Sequence, residues 1–155
     1  MPKPIYILNG PNMNLLGVRE PHIYGSTTLE QIGERCAARA REAGYEIVMR
    51  QTNHEGGLVD DIHEARTDGA AIILNAAAYT HTSLALMDAL KTVDIPVIET
   101  HLSNPHTREP FRHRSYVSFV ATGIVAGFGP ASYDVALEGV LRLLSDRAAA
   151  AAVPA

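Results

Sequence analysis

Ionisable and amide side chains are bunched unevenly along this 155-residue chain. The stretch NLLGVREPHIYG, Asn14 to Gly25, holds Arg19, Glu20, His22 and Tyr24 within six residues. Just before it, NGPNMN supplies Asn9, Asn12 and Asn14. Further on, Asn75 precedes AAAYTHTS, which contains His81. The segment ETHLSNPHTREPFRHR then brings Glu99, His101, Ser103, Asn104, Arg108, Arg112, His113 and Arg114. Imidazoles move protons near neutral pH, amides donate to developing oxyanions, and guanidinium groups bind carboxylates. Together they suit acid–base chemistry on a polar, anionic small molecule. A free phenol titrates near 10, but a nearby guanidinium favours the phenolate. Arg19 lies five residues before Tyr24, on a loop stiffened by Pro21, so Tyr24 is a candidate general base. The competing reading is an aromatic lid that merely covers a pocket.

These residues need a scaffold that gathers them. Four nearly continuous apolar runs read as parallel strands covered on both faces: 5–9, 45–50, 70–75 and 96–100. A fifth strand falls within 117–129. Helical patterns separate the strands. TTLEQIGERCAARAREAG offers a capping box from Thr27 to Glu30 and closes at Gly44. LVDDIHEARTDG follows the second strand and THTSLALMDALKTV the third. PASYDVALEGVLRLLSDR follows the fifth, with Pro130 suited to a first helical position. Such alternation predicts an α/β fold, a flavodoxin-like doubly wound sandwich with a five-stranded parallel sheet. It forms one domain over 1–146, followed by an Ala-rich tail over 147–155 expected to be disordered.

In sheets of this kind ligands bind beyond the carboxyl ends of the strands. The asparagines, histidines and arginines above all leave the strands on that rim, so topology alone brings them toward one pocket. Taken singly, each has a plainer reading. Asparagines at strand ends form turns, His81 can be a surface residue, His101 a satisfied core histidine, and Arg108 to Arg114 a solvated turn. Asp88 lies seven positions after His81, two helical turns, which places both on one face of a shared helix.

Other chemistries lose their anchors. The chain has no G-x-G-x-x-G, no phosphate-binding G-x-x-x-x-G-K-[ST], no H-E-x-x-H and no G-x-S-x-G. Its single cysteine, Cys36, falls in a helical apolar pattern and is expected to be core. A formal net charge of -4 argues against a general nucleic-acid binder. No apolar run approaches the roughly 20 residues that span a bilayer, and the apolar start is too short for a signal peptide. The expectation is a cytoplasmic protein using no metal and no cofactor, with neither nucleic acid nor membrane as partner.

Several long segments in the right order resemble one family, the type II 3-dehydroquinate dehydratases. They are ILNGPNMNLLGVREPHIYG, RQTNHEGGLVDDIHEA, AYTHTSLAL and PVIETHLSNPHTREPFRHRSYVS. The resemblance implies conversion of 3-dehydroquinate to 3-dehydroshikimate and water through an enolate, without metal, cofactor or lysine Schiff base. It implies Tyr24 as the base, Arg19 as the group holding it as phenolate, and Asn12, through a water, as enolate stabiliser. His101 is implied as the acid for the departing hydroxyl, oriented by Glu99. Substrate contacts fall on Asn75, His81, Leu102, Ser103 and Arg112. Asp88 matches a residue reaching a neighbouring subunit's site, in trimers packed into a dodecamer, and 14–25 matches a closing lid.

The chain departs from the family pattern in a few places. Ala76-Ala77 replaces Pro-Gly or Pro-Ala, Met87 stands for a common Arg, and Gly57 replaces an acid. Thr100 sits within the Glu-His motif, and Ser132 precedes Tyr133 where glycine is usual. None of these removes an implied catalytic residue, and activity is expected.

Overall fold

A computed structural model describes residues 1–154 apart from 19, 21, 23 and 24. The apolar runs form β1 (Ile5–Asn9), β2 (Ile47–Gln51), β3 (Ala71–Asn75), β4 (Val97–His101) and β5 (Gly123–Ala126). All neighbouring pairs are parallel, in the order β2-β1-β3-β4-β5. The helices are α1 (Leu29–Glu42), α2 (Glu55–Asp68), α3 (Leu84–Leu90) and α4 (Ala131–Ala152). This is the flavodoxin-like α/β arrangement that the alternation predicts. No helix among the described residues is long and apolar enough to cross a membrane.

Alternate residues of the central strands feed two cores. On one face Ile5, Ile7 and Ile73 pack with Ile32 and Cys36 of α1 and Tyr133 and Leu137 of α4. On the other, Tyr6, Leu8, Ile72 and Leu74 meet Leu58 and Ile62 of α2 and Leu86 and Leu90 of α3. Each fully buried Ile or Leu stabilises by about 1.5–3 kcal/mol relative to exposure. Both sheet faces being covered explains why the strands read as continuous rather than alternating apolar runs.

Helix starts differ from the sequence expectation. Both Thr27 and Thr28 are followed three residues on by a capping partner, and the structure uses the second frame. Thr28 Oγ1 accepts from Gln31 N at 3.2 Å, and Gln31 Oε1 accepts from Thr28 N at 2.9 Å. The segment after β3 is not one helix. Ala77–His81 forms a 3-10 turn, and Ser83 then caps α3 by accepting from Leu86 N. The Ser83 hydroxyl thus restarts the helix, and His81 and Asp88 do not share a helical face. α4 continues through the Ala-rich segment to Ala152.

The strand order reverses between β1 and β3, the switch point where open α/β sheets form a ligand crevice. Asn9 and Asn75 face each other there in register. Gly10 follows at once, its N–H donating to the Asn75 carbonyl at 2.8 Å. A Cβ at Gly10 would lie 2.4 Å from the Ala76 carbonyl oxygen, so only glycine lets the two loops pass this closely.

Candidate active site

A pocket of about 140 Å³ opens over this switch point. Asn12, Asn75, His81, His101, Leu102, Ser103 and Arg112 all line it, with Arg108 beside them. Part of the polar rim inferred from strand order therefore gathers at this cavity. Glu99 lies behind His101 and lines an adjoining cavity of about 300 Å³, which His81, His101 and Arg112 also border. Asp88 is exposed and lines neither cavity. Arg19 and Tyr24 lie outside the described residues.

Glu99 and His101 are successive residues on one face of β4, as the two-residue strand period requires. His101 Nε2 is 2.5 Å from Glu99 Oε2, and the two residues are 9% and 2% exposed. A buried carboxylate costs several kcal/mol unless its oxygens are satisfied. Ser115 Oγ donates to Oε2 at 2.7 Å, and Ser118 Oγ donates to Oε1. Burial alone would push the Glu99 carboxyl up. The hydrogen bond and charge of His101, with the two serine hydroxyls, outweigh it and hold the group below the usual carboxylate range. With Nε2 on an anionic carboxylate, Nδ1 is the His101 atom left to exchange a proton with a ligand.

His81 is tied differently. Its Nδ1 lies 2.7 Å from the Arg114 carbonyl, which only accepts, so Nδ1 bears the proton and Nε2 is left as an acceptor. Burial is the largest influence on this imidazole and lowers its pKa from 6.5. The Arg114 hydrogen bond opposes that effect, while the charges of His101 and Arg112 add to it. Arg112 is steadied by Glu109, which accepts from its Nε at 2.7 Å.

Asn12 sits in the left-handed region at φ 70, which asparagine tolerates better than most residues. Its N–H donates to Asn53 Oδ1 at 3.0 Å, and Gln51 Nε2 donates to the same oxygen at 3.1 Å. The Asn53 carbonyl accepts from Tyr79 Oη at 2.8 Å. Asn53 therefore braces the loop after β1 against the turn that holds His81. Ala77 is also left-handed, at φ 53, a conformation that disfavours an L-residue by roughly 1–2 kcal/mol. Its N–H donates to Asn75 Oδ1 at 3.1 Å. Ser132 is fully buried, and its Oγ accepts from Phe128 N at 3.0 Å, so the hydroxyl has work that glycine could not do.

Sequence reasoning named most of the pocket lining but overlooked its supports. Asn53 leaves the carboxyl end of β2, and the rim rule applied to that strand points to it. Ser115 and Ser118 lie within the segment PVIETHLSNPHTREPFRHRSYVS, but neither was singled out; only the structure brings their hydroxyls to Glu99.

Comparisons with known proteins point to one family. The profile of the family described as dehydroquinase class II matches residues 3–141. The 3-dehydroquinate dehydratase of Caulobacter vibrioides is 58% identical over 144 residues, 93% of this chain and 99% of that protein. The corresponding protein of Hyphomonas neptunium is 60% identical over 143 residues, 92% of this chain and 96% of its own. The crystal structure of a type II dehydroquinase from Propionibacterium acnes superimposes with a TM-score of 0.87 at 42% identity, covering 92% of this chain and 98% of that one.

The His81 geometry has a pH signature. Below 6.5 the folded chain binds fewer protons at His81 than the unfolded chain does. This contribution to stability is therefore complete above that value and is lost as pH falls through the folded pKa. An NMR titration is expected to place the His81 midpoint below 6.5, with the His81→Gln variant losing less thermal stability than the parent on acidification. A midpoint at or above 6.5 contradicts the assignment.

Proposed function

The chain belongs to the class II dehydroquinase family, and from that premise we propose that it eliminates water from 3-dehydroquinate to give 3-dehydroshikimate. The reaction is a step toward aromatic amino acids in the shikimate pathway, or alternatively of quinate breakdown. The observation that supports it best is the buried Glu99–His101 pair at the wall of a polar, arginine-bordered pocket.

The proposed sequence begins with Tyr24 as phenolate, held by Arg19, removing the proton alpha to the ketone. Electron density moves onto the carbonyl oxygen, and Asn12 stabilises the enolate through a water. His101 then delivers a proton from Nδ1 to the departing hydroxyl while Glu99 fixes its ring. A preorganised donor and an oriented acid are each typically worth 100-fold or more in rate. Asn75, His81, the Leu102–Ser103 segment and Arg112 between them hold the substrate's carboxylate and hydroxyls.

The placement of lysine argues against a Schiff-base route. The chain has two lysines, Lys3 and Lys91. Lys3 bonds the Thr67 carbonyl at the opposite pole, and neither lysine lines the pocket.

The chain further assembles, in this proposal, as trimers packed into a dodecamer. Phe119, Ile124 and Phe128 are exposed around edge strand β5, with Phe111 exposed nearby in sequence. Apolar groups on an open sheet edge suit contact with another copy. Asp88, exposed and away from its own pocket, is then free to approach a neighbour's.

Two measurements test these readings. Purified protein is expected to convert 3-dehydroquinate to a conjugated, ultraviolet-absorbing product, and prior treatment of the enzyme with borohydride is expected to leave it active. Tyr24→Phe is expected to retain the fold and lose about 1,000-fold or more of the turnover. Near wild-type turnover in that variant would overturn the choice of base. Light scattering is expected to give about twelve times the 16.7 kDa chain mass, and a stable monomer would refute the assembly.

A further inference from the structure

Tyr133 is fully buried in α4, and its hydroxyl reaches between the ends of β1 and β3. It donates to Asn9 Oδ1 at 2.6 Å and accepts from Asn75 Nδ2 at 3.0 Å. Asn9 Nδ2 donates onward to the Arg50 carbonyl at 2.9 Å. At the far end, Asn75 Oδ1 accepts from Ala77 N at 3.1 Å.

Both ends of this relay are backbone groups with fixed polarity. The Arg50 carbonyl only accepts, so the Asn9 amide must turn its NH2 toward it and leave Oδ1 toward Tyr133. Tyr133 then gives its one proton to Asn9 and has only lone pairs left for Asn75. The Ala77 N–H only donates, so it requires Asn75 Oδ1 on its own side. A flipped Asn75 would set NH2 against the Ala77 N–H and oxygen against the Tyr133 oxygen, losing two hydrogen bonds at once, one buried and one half-buried. Burial holds the Tyr133 hydroxyl well above the ordinary phenol range, so it keeps the proton the relay needs.

One polar valence on the Asn75 nitrogen is left. Among the described residues, its second N–H meets only the Met13 thioether at 3.7 Å, and Met13 lines the pocket. A thioether is a weak acceptor that a ligand oxygen readily replaces.

We infer that Tyr133 is a positioning residue, locking the Asn75 amide so that it offers the pocket an N–H for an anionic or carbonyl oxygen of the ligand. This rests on the reading of Asn75 as a substrate contact. Tyr133 itself is buried and does not line the pocket. The side chain that looks like core in α4 therefore sets the polarity of the pocket floor, and acceptor groups bind there in preference to donors.

The test is a kinetic cycle on 3-dehydroquinate with Tyr133→Phe, Asn75→Ala and the double variant, corrected for active-site concentration. Tyr133→Phe is expected to raise KM by about tenfold with a smaller change in kcat, as loss of one oriented hydrogen bond to a charged group does. The double variant is expected to be no worse than Asn75→Ala, because both remove the same contact. Unchanged KM in folded Tyr133→Phe, or full additivity in the cycle, overturns the inference. Should Tyr133→Phe not fold, NMR on the unmutated protein decides. The Asn75 NH2 protons are expected to show cross-peaks to the Tyr133 ring, and cross-peaks from that NH2 to the Ala77 amide in their place would overturn it. A wild-type protein inactive on 3-dehydroquinate would defeat the proposed reaction, while the NMR result would still judge the relay.

Discussion

Asn9 and Asn75 end adjacent parallel strands in register, and both are almost wholly buried, at 0% and 3% exposure. A buried amide with no partner costs about 1–3 kcal/mol, so each must find hydrogen bonds at the point where the strand order reverses. The bonds come from three directions: the Arg50 carbonyl of β2, the Tyr133 hydroxyl of α4 and the Ala77 amide of the turn after β3. Satisfying these two side chains fixes how β1, β2, β3 and α4 meet. It also constrains the loops, since Gly10 must pass against Ala76 and Ala77 must take a left-handed conformation. The pocket is the space those constraints leave open.

A second constraint is electrostatic and sits on β4. Glu99 is the buried charge beside the pocket, and its carboxylate is satisfied by His101, Ser115 and Ser118. Those bonds keep it ionised despite burial, and an ionised Glu99 holds the His101 ring with Nδ1 toward the cavity. The two histidines thus have opposite tasks. His101 backs onto an anion and leaves Nδ1 for a ligand, while His81 backs onto a carbonyl, whose hydrogen bond opposes the lowering of its pKa by burial, and leaves Nε2 as an acceptor. Identical side chains differ because their rear partners differ.

Much of this was legible in the residues. Doubly covered strands leave continuous apolar runs, so the sheet could be read directly, and with it the rim where the polar residues gather. Errors arose where local chemistry offered two answers. Thr27 and Thr28 both fit a capping frame, and the structure uses Thr28. His81 and Asp88 fit a single helical period, but the Ser83 hydroxyl breaks the helix between them. The supports of the site were least visible. Ser115 and Ser118 follow no periodicity, and Tyr133 reads as an apolar helix residue until its hydroxyl is followed to the two asparagines.

In the proposed reaction the strand ends present a fixed set of donors and acceptors to the substrate. The most direct measurement is a crystal structure of the Tyr24→Phe variant with 3-dehydroquinate bound. The expected result has the ring in the switch-point pocket, an oxygen on Asn75 Nδ2 and the departing hydroxyl on His101 Nδ1. Substrate bound elsewhere, or meeting His101 through Nε2 with the Glu99 contact broken, would contradict it.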